Sequence, residues 1–154
     1  MNELEKFLRA DYEKWKDLPY LHEMVDGKYE GITFGEFIEK VNYLGTYFVN
    51  NGYKGKNIGI YSPNSIAWMI ADVAIMNYVG LSIGLNKDWK DDNLDYAIGK
   101  CEISLMLYSK SLEDKIKARA ASAGIDPAKV SVAVVGAPAT EREDERDNEN
   151  EEDN

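Results

Sequence analysis

The feature of this sequence that most constrains its fold is the segment of residues 58–80, IGIYSPNSIAWMIADVAIMNYVG. A short apolar stretch leads into a Pro-Asn-Ser corner, then into a helix-length stretch that is apolar on nearly every side, and finally to Gly80. A helix this apolar has to be covered on several sides, so the rest of the chain must supply a sheet and further helices. We therefore expect the segment to form part of a buried core, with either Asn64 or Ser65 as the cap of its helix.

The length of this apolar stretch also raises the question of a membrane span, because about 20 apolar residues can cross a bilayer. Residues 66–85 approach that length, but they include Asp72 and Asn77. An Asp in the middle of a spanning helix costs about 2.5–3.5 kcal/mol on insertion scales, and Gly80 would end the helix early. We therefore expect a buried helix and no transmembrane span.

Strands and helices alternate along most of the chain. Apolar segments begin near residues 57, 81, 103 and 130, and a helical pattern separates each from the next. This alternation predicts crossover units, a mainly parallel sheet flanked by helices, and hence the α/β fold class. Nearer the N-terminus, residues 2–18 have the spacing of an amphipathic helix, and Asp26-Gly27 predicts a small hairpin. Thr33 then opens a capping box for a helix that ends at Gly52.

The charge is unevenly placed. The net charge is -10, and residues 141–154 contribute -7 of it through nine acidic residues and two arginines, which leaves -3 for the first 140 residues. We therefore predict one domain over residues 1–136 and a disordered acidic tail over residues 137–154, because the tail has too few apolar residues to offset the entropy of ordering. The tail is either a docking arm for a basic partner or a solvating end. Without a basic stripe, nucleic acid is not an expected partner.

Cysteine and histidine each occur once, as Cys101 and His22. One cysteine cannot form an internal disulfide, and this pair alone cannot build a Cys/His zinc site, so we expect no metal and a cytoplasmic location or the cytosolic face of a membrane. The first residues, MNELEKFLRA, contain early acidic residues and no apolar run, so they do not resemble a secretory signal or a transit peptide.

A search for catalytic residues finds no strong candidate. Neither G-x-G-x-x-G nor G-x-x-x-x-G-K-[ST] occurs, and the glycines and lysines of residues 52–56 lie before a strand, where a plain loop is the better interpretation. His22 is predicted to be a solvated or half-packed hairpin residue, and Cys101 a small buried residue. Acidic pairs at 91–92 and 113–114 are expected to cap helices. Trp68 is either a core residue or a ligand contact. We assign no catalytic, cofactor-binding or metal-binding residue.

Residues 31–86 nevertheless carry several motifs in a recognisable order. Residues 32–37, Ile-Thr-Phe-Gly-Glu-Phe, are similar to a Leu-Thr-Tyr-x-Glu-Leu pattern, and residues 64–68, Asn-Ser-Ile-Ala-Trp, to an Asn-Ser-x-Glu-Trp corner. Residues 76–80 followed by a strand are similar to Leu-Lys-Ala-Gly before a strand and Pro-Leu. Ala67 and Gly84 depart from the usual Glu and Pro. With these motifs the chain resembles the N-terminal subdomain of adenylate-forming (AMP-binding) enzymes, most closely the long-chain fatty-acid acyl-CoA synthetases.

The resemblance implies ATP-dependent formation of an acyl-adenylate and then of acyl-CoA, with ATP, magnesium and coenzyme A as cofactors. The phosphate loop, the adenine and ribose site and the C-terminal lysine domain of that family have no counterpart in these 154 residues. We therefore expect a partial subdomain that binds no cofactor alone and is inactive alone, as a fragment, a truncated product or one piece of a split enzyme.

Two alternatives remain open. The chain is either part of such a synthetase, with the remainder of the enzyme as its partner, or a non-catalytic interaction module that kept the fold and binds another protein. Peripheral contact with a membrane is compatible with both. A flavodoxin-like nucleotide binder is a weaker third possibility.

Overall fold

The computed structural model describes residues 3–122 and 132–133 and shows an α/β fold. Its helices are α1 (Glu3–Ala10), α2 (Tyr12–Trp15), α3 (Phe34–Asn50), α4 (Ile66–Tyr78), α5 (Asp91–Lys100) and α6 (Glu113–Ser122). Its strands are β1 (Pro19–Val25), β2 (Lys28–Thr33), β3 (Asn57–Tyr61), β4 (Leu81–Leu85), β5 (Ile103–Tyr108) and β6 (Val132–Ala133). The predicted fold class, the N-terminal helical segment and the small hairpin are confirmed.

The main sheet is parallel, with the strand order β4-β3-β5-β6. Its two faces carry separate apolar clusters. One cluster joins α3 and α4 to Ile58 and Ile60 of β3, and the other joins α5 and α6 to Tyr61 and Met106. The sheet is therefore a central layer with helices on both sides, which is why β3 and β5 are almost wholly buried.

Helix α4 is the apolar helix that the sequence indicates, and its ends are well defined. Ser65 is its cap, because the Ser65 hydroxyl accepts a hydrogen bond from the Trp68 amide at 3.1 Å. At the other end the Gly80 amide donates to the Ile75 carbonyl, and Gly80 adopts φ +152°, a conformation that favours glycine. The half-buried Asp72 accepts a 2.6 Å bond from the Ser82 hydroxyl of β4, which explains how a carboxylate is tolerated on this helix.

The N-terminal segment differs from the predicted continuous helix over residues 2–18. Asp11 leaves the helical conformation, with φ -117° and ψ 22°, and its carbonyl accepts from the amides of Lys14 and Trp15. The chain therefore starts a new short helix at Tyr12 and ends it at Trp15, before Pro19. In the hairpin, Asp26 and Gly27 both have positive φ, at 49° and 77°, as the predicted two-residue turn requires.

Helix α3 begins where the sequence predicts. The Thr33 hydroxyl accepts from the Glu36 amide at 3.1 Å, and the Gly35 amide donates to the Lys16 carbonyl. A Cβ on Gly35 would lie 2.9 Å from that carbonyl oxygen, so a larger residue there would push α3 away from α2.

The predicted acidic tail over residues 137–154 lies outside the described residues, as do the ends of the strand predicted for residues 130–135. None of the helices in the described part of the chain combines the length and the apolar character that a membrane span needs.

Candidate active site and apolar cavity

The crevice of greatest interest lies where the strand order of the sheet reverses. The connection from β3 leads outward through α4 to β4, whereas the connection from β5 leads the other way through α6 to β6. In open α/β sheets, ligands bind outside the carboxyl ends of the two strands at such a point. Here those ends are Tyr61-Ser62 and Tyr108-Ser109, and the pairing of Tyr61 with Tyr108 sets them side by side. The Ser109 amide donates to the Tyr61 carbonyl at 3.3 Å.

A cavity of about 220 Å³ opens at this place, between the first turns of α4 and the ends of β3 and β5. Its walls are mainly apolar, and three serines also contribute to them, whereas the Tyr108 hydroxyl donates to Glu113 on the other face of the sheet. The lining residues are Ile60, Ser62, Pro63, Ser65, Ala67, Trp68, Ala71, Leu107, Tyr108 and Ser109. The cavity can accept a small apolar group in contact with a few hydroxyls.

Trp68 separates this cavity from a second one of about 380 Å³ at the carboxyl ends of β3 and β4. The indole lines both cavities and lies over Gly84 of β4. A Cβ on Gly84 would lie 3.3 Å from Cζ2 of Trp68, so the absence of a side chain there gives the indole its place. The second cavity is more polar, because Asn86, Lys87 and Asp88 contribute to its wall.

The N-terminus of α4 is already occupied by a carboxylate. The Ile66 amide donates to Oε2 of Glu23 at 3.0 Å, and Glu23 reaches this position from β1, 43 residues earlier in the chain. A negative charge is stabilised at a helix N-terminus by the helix dipole, so the contact joins the hairpin to the main sheet. It also uses an amide that would otherwise be available to an anionic ligand.

The loop of residues 52–56 does not form a phosphate site. It lies at the amino end of β3, at the opposite edge of the sheet from the crevice. The Gly55 amide donates to the Val79 carbonyl at the end of α4, and the Lys56 amide donates to the Tyr53 carbonyl. These hydrogen bonds hold the loop in place, which agrees with its interpretation as a plain connection between α3 and β3.

The surroundings of His22 and Cys101 are those of structural residues. His22 is exposed on β1, and its ring lies against Gly31 of β2, where a Cβ would lie 2.5 Å from Cδ2 of the imidazole. Cys101 is half-buried after α5, and its carbonyl accepts a 2.8 Å bond from the Asn57 amide group. Among the described residues, neither lies beside a group that would activate it.

The remaining candidates take up the predicted structural positions. The acidic pairs at 91–92 and 113–114 lie in the first turns of α5 and α6. Over residues 3–122 and 132–133, no three His, Cys, Asp or Glu side chains are grouped closely enough to hold a metal ion. The sequence left two interpretations of Trp68 open, a core residue or a ligand contact. The structure supports a ligand contact, because Trp68 lines both cavities.

Sequence reasoning missed Glu23 and Ser109. No local pattern could have revealed Glu23, because its partner is 43 residues away. Ser109 had a usable signal: Tyr-Ser ends both β3 and β5, and polar residues that directly follow buried parallel strands gather at the carboxyl edge of a sheet.

A parallel sheet covered on both faces, with a crevice at the reversal of strand order, defines the class of doubly wound α/β proteins. Within this class the match is specific, because the family model described as "AMP-binding enzyme" matches residues 8–154. The chain belongs to the AMP-binding enzyme family, and the resemblance stated from the sequence is confirmed.

Two relatives in the family are similar to part of the chain. It is 30% identical over 97 residues to fatty acyl-CoA synthetase A of Dictyostelium discoideum, which covers 60% of this chain and 14% of that protein. It is 26% identical over 82 residues to long-chain-fatty-acid--CoA ligase 5 of Rattus norvegicus, which covers 51% of this chain and 12% of that protein. The chain therefore spans a small part of the length of these relatives.

Solved structures agree on the fold. The crystal structure of the anthranilate CoA ligase AuaEII in complex with anthranoyl-AMP superimposes with a TM-score of 0.70 over 82% of this chain and 24% of that chain, at 15% sequence identity. At this identity the likeness concerns the fold alone.

Proposed function

We propose that this chain supplies the N-terminal part of a long-chain fatty-acid acyl-CoA synthetase and is catalytically inactive by itself. The family assignment supports the ligase class. The two named relatives, a fatty acyl-CoA synthetase and a long-chain-fatty-acid--CoA ligase, support a fatty acid as the substrate. A cytoplasmic location, or the cytosolic face of a membrane, belongs to the same proposal.

The observation that carries the proposal is the position of the shared motifs in the fold. Thr33 begins α3, the Asn64-Ser65 corner begins α4 at the end of β3, and Gly80 ends α4 before β4. Each of these motif residues thus has a definite structural task at the end of a helix. Motifs that match in order and in structural context are far stronger support than isolated pattern matches.

Inactivity of the chain alone is inferred from the chemistry that these 154 residues lack. They contain no Thr-Ser-Gly-Thr-Thr-Gly-x-Pro-Lys run, and phosphoryl chemistry depends on backbone amides and cations around the phosphates. We propose that ATP, magnesium and coenzyme A are bound only together with the rest of a synthetase, which is then the partner of this chain.

A chimera tests the substrate class. Residues 8–122 would replace the matching segment of fatty acyl-CoA synthetase A of Dictyostelium discoideum, and acyl-CoA formation from palmitate and from acetate would be measured. We expect the chimera to retain a preference for palmitate. The isolated chain, with ATP, magnesium, coenzyme A and palmitate, should give neither acyl-CoA nor pyrophosphate exchange.

A chimera that folds like its parent but does not activate palmitate would contradict the proposed function. Turnover by the isolated chain that survives removal of contaminating enzymes would contradict its inactivity. A control chimera carrying Ile70→Pro should lose activity through disruption of α4, since a proline inside a helix costs about 3 kcal/mol or more.

A non-catalytic interaction module is the second candidate, and the exposed apolar side chains of the hairpin favour it. Met24 and Tyr29 pair across β1 and β2 and are 56% and 79% exposed. Light scattering distinguishes the two candidates. A compact monomer supports an adapted module that exposes only a small apolar contact, whereas aggregation supports a part that requires the rest of a synthetase.

A further inference from the structure

We propose that the 220 Å³ cavity at the carboxyl ends of β3 and β5 binds a small, neutral, mainly apolar ligand that carries one hydroxyl or amide group. An aromatic ring with a short polar substituent fits this description. The site is built entirely from residues of this chain, so the inference goes beyond the synthetase activity proposed above and can be tested separately from it.

The size and the walls of the cavity support an apolar occupant. Ile60 and Leu107 form part of the wall from the sheet and Ala71 from α4, and these three residues are 2%, 5% and 5% exposed. They belong to the core cluster between the sheet and α4, so the wall is part of the packed fold. An apolar cavity of about 150 Å³ in a protein core is sufficient to bind benzene, and this cavity is larger.

The cavity exists because α4 presents two small side chains toward it. Ala67 and Ala71 are four residues apart and therefore lie on one face of the helix. The neighbouring Trp68 could fill the space, but its indole lies over Gly84 of β4. Ala67 and Gly84 are the two departures from the family motifs: Ala67 lines this cavity, and Gly84 leaves room for the Trp68 indole beside it.

The polar groups at the cavity favour a neutral ligand over an anion. Ser65 accepts a hydrogen bond from the Trp68 amide and, within the described residues, donates none, so its hydroxyl proton is available to a ligand oxygen. No charged side chain of the described chain lines the cavity. The nearby Ile66 amide is bound to the carboxylate of Glu23, which adds a negative charge beside the site and disfavours a carboxylate ligand.

Nuclear magnetic resonance of the full chain, labelled with ¹⁵N, tests the proposal with benzyl alcohol as the probe and benzoate as the charged comparison. We expect saturable shifts of the amides of Ala67, Ala71 and Ser109 with benzyl alcohol, and weaker or no shifts with benzoate. We also expect nuclear Overhauser contacts between the ring protons of the probe and the Ala71 methyl group, which locate the ligand without any substitution.

Two variants of α4 supply the matched comparison. Ala67→Leu keeps a strong helix former and extends into the cavity, so saturable binding should be lost. Met69→Leu changes a neighbouring α4 residue outside the cavity at nearly constant volume, so binding should be retained.

Several results would overturn the proposal. These are shifts that do not saturate, shifts spread over the surface, and binding that persists unchanged in a folded Ala67→Leu variant. Benzoate binding as tight as that of benzyl alcohol would overturn the assignment to a neutral ligand. If Ala67→Leu does not fold, the contacts to the Ala71 methyl group decide the question in the unmodified chain.

Discussion

Replacing Gly45 with alanine tests how closely α3 and α4 pack. Gly45 is buried on α3, and a Cβ there would overlap Cγ and Cδ2 of Tyr78 on α4 and would lie 2.7 Å from Cε2. Because Cγ does not move when the ring turns about the Cβ–Cγ bond, such a ring rotation cannot relieve the overlap. The two helices would have to move apart or the Tyr78 ring would have to leave its position, and either movement breaks the 2.6 Å bond from the Tyr78 hydroxyl on α4 to Oδ1 of Asn42 on α3.

The expected magnitude combines three effects. Overpacking a well-packed contact costs about 1–3 kcal/mol, and loss of the Tyr78 hydrogen bond costs about 0.5–1.5 kcal/mol. Alanine is favoured over glycine inside a helix by about 1 kcal/mol. The net destabilisation of Gly45→Ala is therefore about 0.5–3.5 kcal/mol, and a central value of about 2 kcal/mol lowers the melting temperature by about 4–8 °C.

Urea denaturation of the full chain, followed by circular dichroism, measures this free energy. Gly99→Ala is the matched control, because Gly99 also lies in a helix and a Cβ added there would have no neighbouring atom within 4 Å. The free energy of unfolding of Gly99→Ala should equal that of the unmodified chain or exceed it by up to about 1 kcal/mol. In a Tyr78→Ala background, Gly45→Ala should become neutral or stabilising, because the overlap is gone. Equal stability changes for Gly45→Ala and Gly99→Ala would refute the reasoning.

Three further predictions concern the polar and aromatic contacts of α4. Ser82→Ala leaves the half-buried Asp72 carboxylate without its partner and should lower the free energy of unfolding by about 1–3 kcal/mol, whereas Asp72→Asn should cost less; urea denaturation compares them. Glu23→Gln should lower the free energy of unfolding by about 0.3–1 kcal/mol, because a neutral amide interacts more weakly than a carboxylate with the α4 dipole. If this loss of stability does not shrink at high salt, the helix dipole is not its cause. Gly84→Ala should displace the Trp68 indole, which fluorescence detects when Trp15 and Trp89 are both replaced by Phe.

Much of the fold could be predicted because its signals are local. The apolar segment from 58 to 80 gave a strand, a cap, a helix and a glycine stop in the correct order, and Asp26-Gly27 gave the hairpin turn. The break at Asp11 could not be predicted in this way, because the amphipathic spacing continues through it. Both Asn64 and Ser65 are good caps, and the choice of Ser65 required the backbone geometry of the turn.

The crevice was harder to predict than the fold, because it depends on contacts between distant residues. Asp72 was visible as an exception in an apolar helix, but its partner Ser82 comes from the neighbouring strand. Glu23 looked like an ordinary hairpin residue. The place of Trp68 depends on a missing side chain at position 84, so neither residue alone indicates a cavity.

Glu23 links the hairpin to the crevice in a way that bears on both proposals. Its carboxylate binds the first amide of α4, beside the Ser65 hydroxyl, which caps the same helix and lines the cavity. A helix N-terminus at the carboxyl edge of a parallel sheet is ordinarily available to an anion, and here a side chain of the same chain supplies that anion. An anion that binds at this helix end would therefore have to displace the Glu23 carboxylate from the Ile66 amide. The cavity next to it is correspondingly better suited to neutral ligands, because the Ile66 amide already has a charged partner whose carboxylate would repel an anion.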